Sequence, residues 1–130
     1  MRADSQSDRK VLVVEDEYII ARDMSEALER SGVSVLGPVA TLQAAMGVLD
    51  CHADIAGAVL DVRLRGGNVY PVAEALRQRG VPFVFATGCE RASIEPAFQD
   101  VIYCEKPQAT AKVVHAIQTE MARLLMSRSR

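Results

Sequence analysis

Nothing in this chain is long enough and apolar enough to cross a membrane. Its longest apolar stretches are strand-sized, well short of the roughly 20 residues that a spanning helix needs. A secretory leader is also missing, since residues 1–10 are polar and contain no apolar core segment. Cysteine is scarce and odd in number. Cys51, Cys89 and Cys104 stand at no metal-binding spacing, and Cys51-His52 has no second pair to answer it. The thiols therefore read as buried or idle rather than disulfide-bonded. Excess charge of one sign is absent too: 17 acidic against 15 basic residues leave −2, with no clustered basic surface of the kind nucleic acid requires. What remains is a cytoplasmic, single-domain protein of 130 residues, 49% apolar and 25% charged, large enough for a proper core.

Against these absences stand four short apolar runs, each ending on chemistry. Val11-Leu12-Val13-Val14 stops at Glu15-Asp16, and Ala58-Val59-Leu60 at Asp61. Phe83-Val84-Phe85-Ala86 stops at Thr87, and Val101-Ile102-Tyr103-Cys104-Glu105 at Lys106-Pro107. Their length and their β-branched and aromatic content predict buried strands. A further short strand is expected at 33–36, closed by Gly37-Pro38.

Helical spacing fills the intervals. Residues 18–31 carry Ile20, Met24, Ala27 and Leu28, with Gly32 as the stop. Thr41 caps a helix to about Leu49, with a stripe of Leu42, Ala45, Met46 and Leu49. A loop over 61–68 uses Gly66 and Gly67 for a tight return, and 69–79 is helix with Pro71 in its first turn and Val72, Ala73 and Leu76 inward. Pro96 makes 90–95 a loop and starts a short helix. The longest helix covers 109–126, with Val113, Ile117, Met121, Leu124 and Leu125 along its stripe. Five βα units with right-handed crossovers predict an α/β fold, a doubly wound three-layer sandwich. Its five-stranded parallel sheet has the flavodoxin-like order 2-1-3-4-5.

In such a sheet the strand ends share one edge, where open α/β folds place ligands. Each residue there has an ordinary alternative: Asp16 and Thr87 as caps, Lys106 as a solvated lysine. Those alternatives leave unexplained why four of five strands deliver such groups together. Clustered carboxylates repel, which calls for a divalent cation. Asp16 and Asp61 would bind it, with Glu15 directly or through water and the backbone carbonyl of Arg63 completing the shell. The free oxygen of Asp61 would attack a phosphoryl group. Lys106 would neutralise the phosphoryl oxygens and Thr87 would donate a hydrogen bond to them. Pro107 restricts the backbone of Lys106 and permits a cis peptide that aims the ammonium inward.

Glu15-Asp16, Asp61, Thr87 and Lys106-Pro107, in that order, resemble the receiver domains of two-component response regulators, over about residues 10–126. The resemblance implies that Asp61 accepts phosphate from a histidine kinase or phosphotransfer protein, with Mg²⁺ (or Mn²⁺) required. It implies a switch in which Thr87 moves toward the phosphate and Tyr103 swings inward. That would reshape a face of helix four, strand five and helix five for a downstream protein. Arg63 and Cys89, two residues beyond Asp61 and Thr87, are assigned a role in phosphate lifetime by position alone. Arg65 stands where many receivers have proline, and Gly88 where many have alanine. Phe85-Ala86-Thr87-Gly88 is similar to an alphaproteobacterial subset that includes stand-alone receivers, although Cys89 occupies that subset's aromatic position.

Two other functions compete. An aspartyl-phosphate hydrolase of the haloacid dehalogenase type would need a general acid where Arg63 stands, and a cap domain that does not fit in 130 residues. A phosphorylation-independent pseudo-receiver would not need the full set of acids with Thr87 and Lys106. The expected organisation is thus a polar leader over 1–9, a receiver domain over 10–126 and a basic tail over 127–130. It is a signalling domain without turnover of an external substrate, and Met1 with its short leader favours a stand-alone protein. Leu124-Leu125-Met126 serves either as core or as a homodimer face.

Overall fold

The structure, a computed structural model, describes residues 9–106 and 110–128. Strands β1 (Lys10–Val14), β2 (Ser34–Val39), β3 (Ile55–Leu60), β4 (Phe83–Thr87) and β5 (Tyr103–Glu105) form one parallel sheet in the order 2-1-3-4-5. Helices α1 (Tyr18–Arg30) and α4 (Thr110–Arg128) cover one face, and α2 (Leu42–Cys51) and α3 (Tyr70–Gln78) the other. Strand periodicity explains why the apolar runs are unbroken. Leu12 and Val14 enter the core under α2 and α3, while Val11 and Val13 enter the core under α1 and α4, so every residue of β1 after Lys10 is buried. Among the described residues no helix is long and apolar enough to cross a membrane. The leader before Arg9 and the end of the tail lie outside the described residues, as does the Lys106–Pro107 peptide.

Local signals hold at the ends of elements. Thr41 Oγ1 accepts the amide of Ala44 at 3.1 Å and starts α2. Gly80, at φ +71°, follows the last turn of α3. Elsewhere the boundaries differ from expectation. β2 does not close at Gly37-Pro38 but runs through both to Val39, which a sheet tolerates because β2 is its edge strand. Gly37 sits at φ +95°, where a Cβ would meet the Val39 amide nitrogen at 2.8 Å. β5 begins at Tyr103 rather than Val101, whose N–H instead closes a turn on the carbonyl of Phe98. The loop after Asp61 contains a hairpin that pairs Arg63–Leu64 with Gly67–Asn68.

The short helix expected from Pro96 is a single 3₁₀ turn, Pro96–Phe98, and another, Arg91–Ser93, lies within the expected loop. Pro96 has no N–H for a helical bond, and of residues 88–100 only Ile94 and Phe98 are buried. Long-range contacts hold this segment instead. Arg77 donates to the carbonyl of Ala97 at 2.7 Å, pairs with Asp100 at 3.2 Å and lies over the Phe98 ring. Tyr70 stacks on Phe98 and accepts the Glu95 amide at 3.0 Å. At the far end, α4 extends about 28 Å at the usual rise per residue and outlasts the sheet. Val113, Ile117 and Met121 are buried, but Leu125 and Met126 are exposed, so the apolar stripe does not continue inward.

Candidate functional site

Backbone register delivers the candidate residues to one place. Val14 pairs with Leu60 across β1 and β3, and Asp61 N–H donates to the carbonyl of Val14 at 2.9 Å. Glu15 and Asp61 therefore leave neighbouring strands at the same level. On the other side Thr87 pairs with Glu105, and Lys106 N–H donates to the Thr87 carbonyl at 2.9 Å. Side-chain oxygens of Glu15, Asp16 and Asp61 lie within 4.8 Å of one another. The Lys106 ammonium reaches between them, 2.6 Å from Glu15 Oε1, 3.0 Å from Asp61 Oδ2 and 3.5 Å from Glu17 Oε1.

The electrostatics are those of an acidic pocket with one internal cation. Glu15 and Asp61 are each 6% exposed. Burial pushes the Glu15 carboxyl up to about 7, and the nearby Asp61 charge adds to this. The Lys106 and Glu17 amide hydrogen bonds act the other way. For Lys106 burial favours the neutral amine, but its bonds to Glu15 and Asp61 outweigh that and hold it above the ordinary lysine value. Hard carboxylate oxygens at this spacing suit Mg²⁺ or Mn²⁺, so the donor set fits a divalent cation.

The raised Glu15 value has a stability consequence. Unfolded, this carboxyl ionises near 4.5; folded, near 7. Between those values the folded protein keeps a proton the unfolded chain has lost, so stability falls as pH rises through that window. Glu15→Gln is expected to gain on the order of 1–3 kcal/mol over wild type near pH 8 without divalent cation, and little near pH 4.5. Urea denaturation at both pH values measures it; an equal difference at the two would refute the burial origin.

Thr87 is fully buried, and its Oγ1 accepts the amide of Cys89 at 3.2 Å. Tyr103, half-buried on β5, donates its hydroxyl to the carbonyl of the same Cys89, and Arg91 lies over its ring at 5.5 Å. Burial and the Glu105 charge raise the Tyr103 phenol above its ordinary value. Both residues of the expected switch thus hold the backbone of Cys89, Thr87 at its N–H and Tyr103 at its carbonyl, a connection their sequence positions do not reveal. Glu17 is a second omission, a third carboxylate on Lys106 whose only signal was its place in the run Glu15-Asp16-Glu17. Arg63 is exposed on the hairpin, and the Cys89 thiol is free and half-buried. Tyr18 and Ile19, beside the acids in the first turn of α1, are exposed large apolar side chains.

No protein-family model matches the chain. In solved structures it is similar to SdrG from Sphingomonas melonis Fr1, at 38% identity, 90% of this chain, 96% of that one and a TM-score of 0.73. SdrG has also been solved in a BeF3-activated conformation, at 40% identity over 82% of this chain and 91% of that one, TM-score 0.67. A response regulator receiver protein from Sinorhizobium medicae WSM419 is 25% identical over 89% of this chain and 96% of that one, TM-score 0.77. A curated relative, the transcriptional regulatory protein PdtaR of Mycobacterium tuberculosis, is 26% identical over 126 residues. The match takes in 93% of this chain but only 60% of PdtaR's length. Identity to SdrG over nearly the whole of both chains, on a receiver fold with its strand-end acids in place, makes this chain a member of the response regulator receiver family.

Proposed function

We propose that the protein is the phosphoacceptor of a two-component relay and that Asp61 carries the phosphoryl group. The observation that carries this reading is the convergence of Glu15, Asp16 and Asp61, with the Lys106 ammonium 3.0 Å from Asp61. An Asp61 carboxylate oxygen attacks the phosphorus of a phosphohistidine. The new O–P bond forms as the N–P bond breaks, and the departing imidazole nitrogen takes the electron pair. Glu15, Asp16, Asp61 and the Arg63 carbonyl would hold a divalent cation, which when bound neutralises phosphoryl oxygens. Lys106 does the same from the opposite side, and Thr87 donates its hydroxyl proton to the phosphoryl group.

Thr87 would give up the Cys89 amide in making that bond, and Tyr103 is held to the same residue. Phosphorylation would then be felt in the 3₁₀ segment, β5 and α4, which replace the expected face built on a fourth α-helix. That face would change its affinity for a downstream protein, and the exposed Tyr18 and Ile19 would meet the phosphodonor. The reading makes the protein a signalling domain with no external substrate.

Incubation with acetyl phosphate, with and without Mg²⁺, followed by intact mass, tests it. One phosphoryl group gained only with Mg²⁺ is expected. No adduct, where a control receiver is modified, favours a pseudo-receiver; donor consumed without adduct favours a hydrolase. The decay of the same adduct in Arg63→Ala and Cys89→Ala reads their contribution to its lifetime, and unchanged rates would remove them from that role.

A further inference from the structure

The hairpin after Asp61 carries two guanidinium groups on its outer side. Alternation across the pairs Arg63↔Asn68 and Leu64↔Gly67 turns Leu64 into the core and leaves Arg63 and Arg65 exposed. A backbone bridge from Arg65 to Thr41 ties the tip to the start of α2, and Gly66 at φ +83° makes the turn. The hairpin backbone is thus pinned by its own pairing and at its tip. Arg77, Arg79 and Arg91 spend their guanidiniums on backbone carbonyls. The side chains of Arg63 and Arg65, among the described residues, have no hydrogen bond or ion pair.

This positive edge borders a pocket of the other sign. Glu15, Asp16, Glu17 and Asp61 outnumber Lys106, which is already engaged by three of them. A phosphohistidine that reaches Asp61 brings the negative charge of its phosphoryl oxygens past this rim. Two unpaired arginines are the feature there that attracts rather than repels an acidic surface.

We propose that Arg63 and Arg65 form a docking edge for carboxylates flanking the phosphohistidine of the phosphodonor protein. The proposal rests on the phosphoacceptor reading above and adds the chemistry of the donor's surface. Arg65 carries the test, because its side chain has no part in the phosphoryl pocket.

Phosphoryl uptake is measured from three donors: phosphoramidate, a synthetic phosphohistidine peptide with glutamates on both sides, and the same peptide with lysines. Wild type is expected to use the glutamate peptide about threefold to tenfold faster than the lysine peptide at low salt, with the preference shrinking as salt rises. Arg65→Glu should abolish or invert the preference while leaving the phosphoramidate rate within about twofold, a result that also shows the variant is folded. Equal use of both peptides by wild type would overturn the proposal, and so would an unchanged preference in Arg65→Glu. An equal slowing of all three donors would overturn it as well, assigning Arg65 to the phosphoryl group itself. Failure of wild type with phosphoramidate would instead remove the underlying phosphoacceptor reading, and the docking edge with it.

Discussion

Asp61→Ala is expected to take up no phosphoryl group from acetyl phosphate at any Mg²⁺ concentration, with a fold otherwise intact. The chemical half follows from the loss of the attacking oxygen, which no neighbour replaces. Glu15 is the nearest alternative carboxylate, but burial holds much of it protonated near neutral pH and its Oε1 is bound to Lys106 at 2.6 Å. The structural half follows from the redundancy of the pocket. Removing one partner of a buried pair costs about 3–5 kcal/mol when it strands the other charge. Here Lys106 keeps Glu15, and Glu15 loses a like-charged neighbour. Intact mass measures uptake and thermal unfolding measures the fold. An adduct in Asp61→Ala would move the phosphoacceptor elsewhere; loss of folding would leave Asp61→Asn, of equal size and without charge, as the decisive variant.

The edge that gathers these residues was legible in the sequence for a specific reason. Each of β1, β3 and β4 is buried on both faces, so each reads as an unbroken apolar run, and the first polar residue after it marks the sheet edge. Glu15, Asp61 and Thr87 follow from that rule, and Lys106 from its counterpart on β5. What lay between strands was less legible. The segment over 88–102 depends on partners distant in the chain: Tyr70, Arg77 and Tyr103 each supply a bond or ring contact that no local pattern encodes. Pro96 signalled the break and the start of a helix, but not that the helix would be a single 3₁₀ turn. The passage of β2 through Gly37-Pro38 was hidden similarly, because only the strand's place at the sheet edge makes proline acceptable there. The hairpin after Asp61 was foreshadowed by Gly66 and Gly67, yet Arg63 and Arg65 gained a common face only through its register.

That dependence on distant partners makes Phe85 the second position of large effect. It is fully buried, and its ring meets Tyr70 at 6.5 Å, Phe83 at 5.8 Å and Phe98 at 6.3 Å. Phe85→Ala is expected to cost about 3–5 kcal/mol, a large part of the roughly 5–15 kcal/mol that holds a domain of this kind together. Urea denaturation measures the loss. Its distribution is the more informative quantity. Phe98 and Tyr70 hold the 3₁₀ segment over β4, and the Glu95 amide is bound to the Tyr70 hydroxyl. If Phe85 is the floor on which that segment rests, hydrogen exchange in the variant should rise most at Glu95 and Phe98, beyond the rise at the β1 amides. A uniform rise would mean that the segment opens only with the whole domain, and that a signal from Thr87 and Cys89 reaches the surface by another route. A local rise would identify the segment as a separately stable unit.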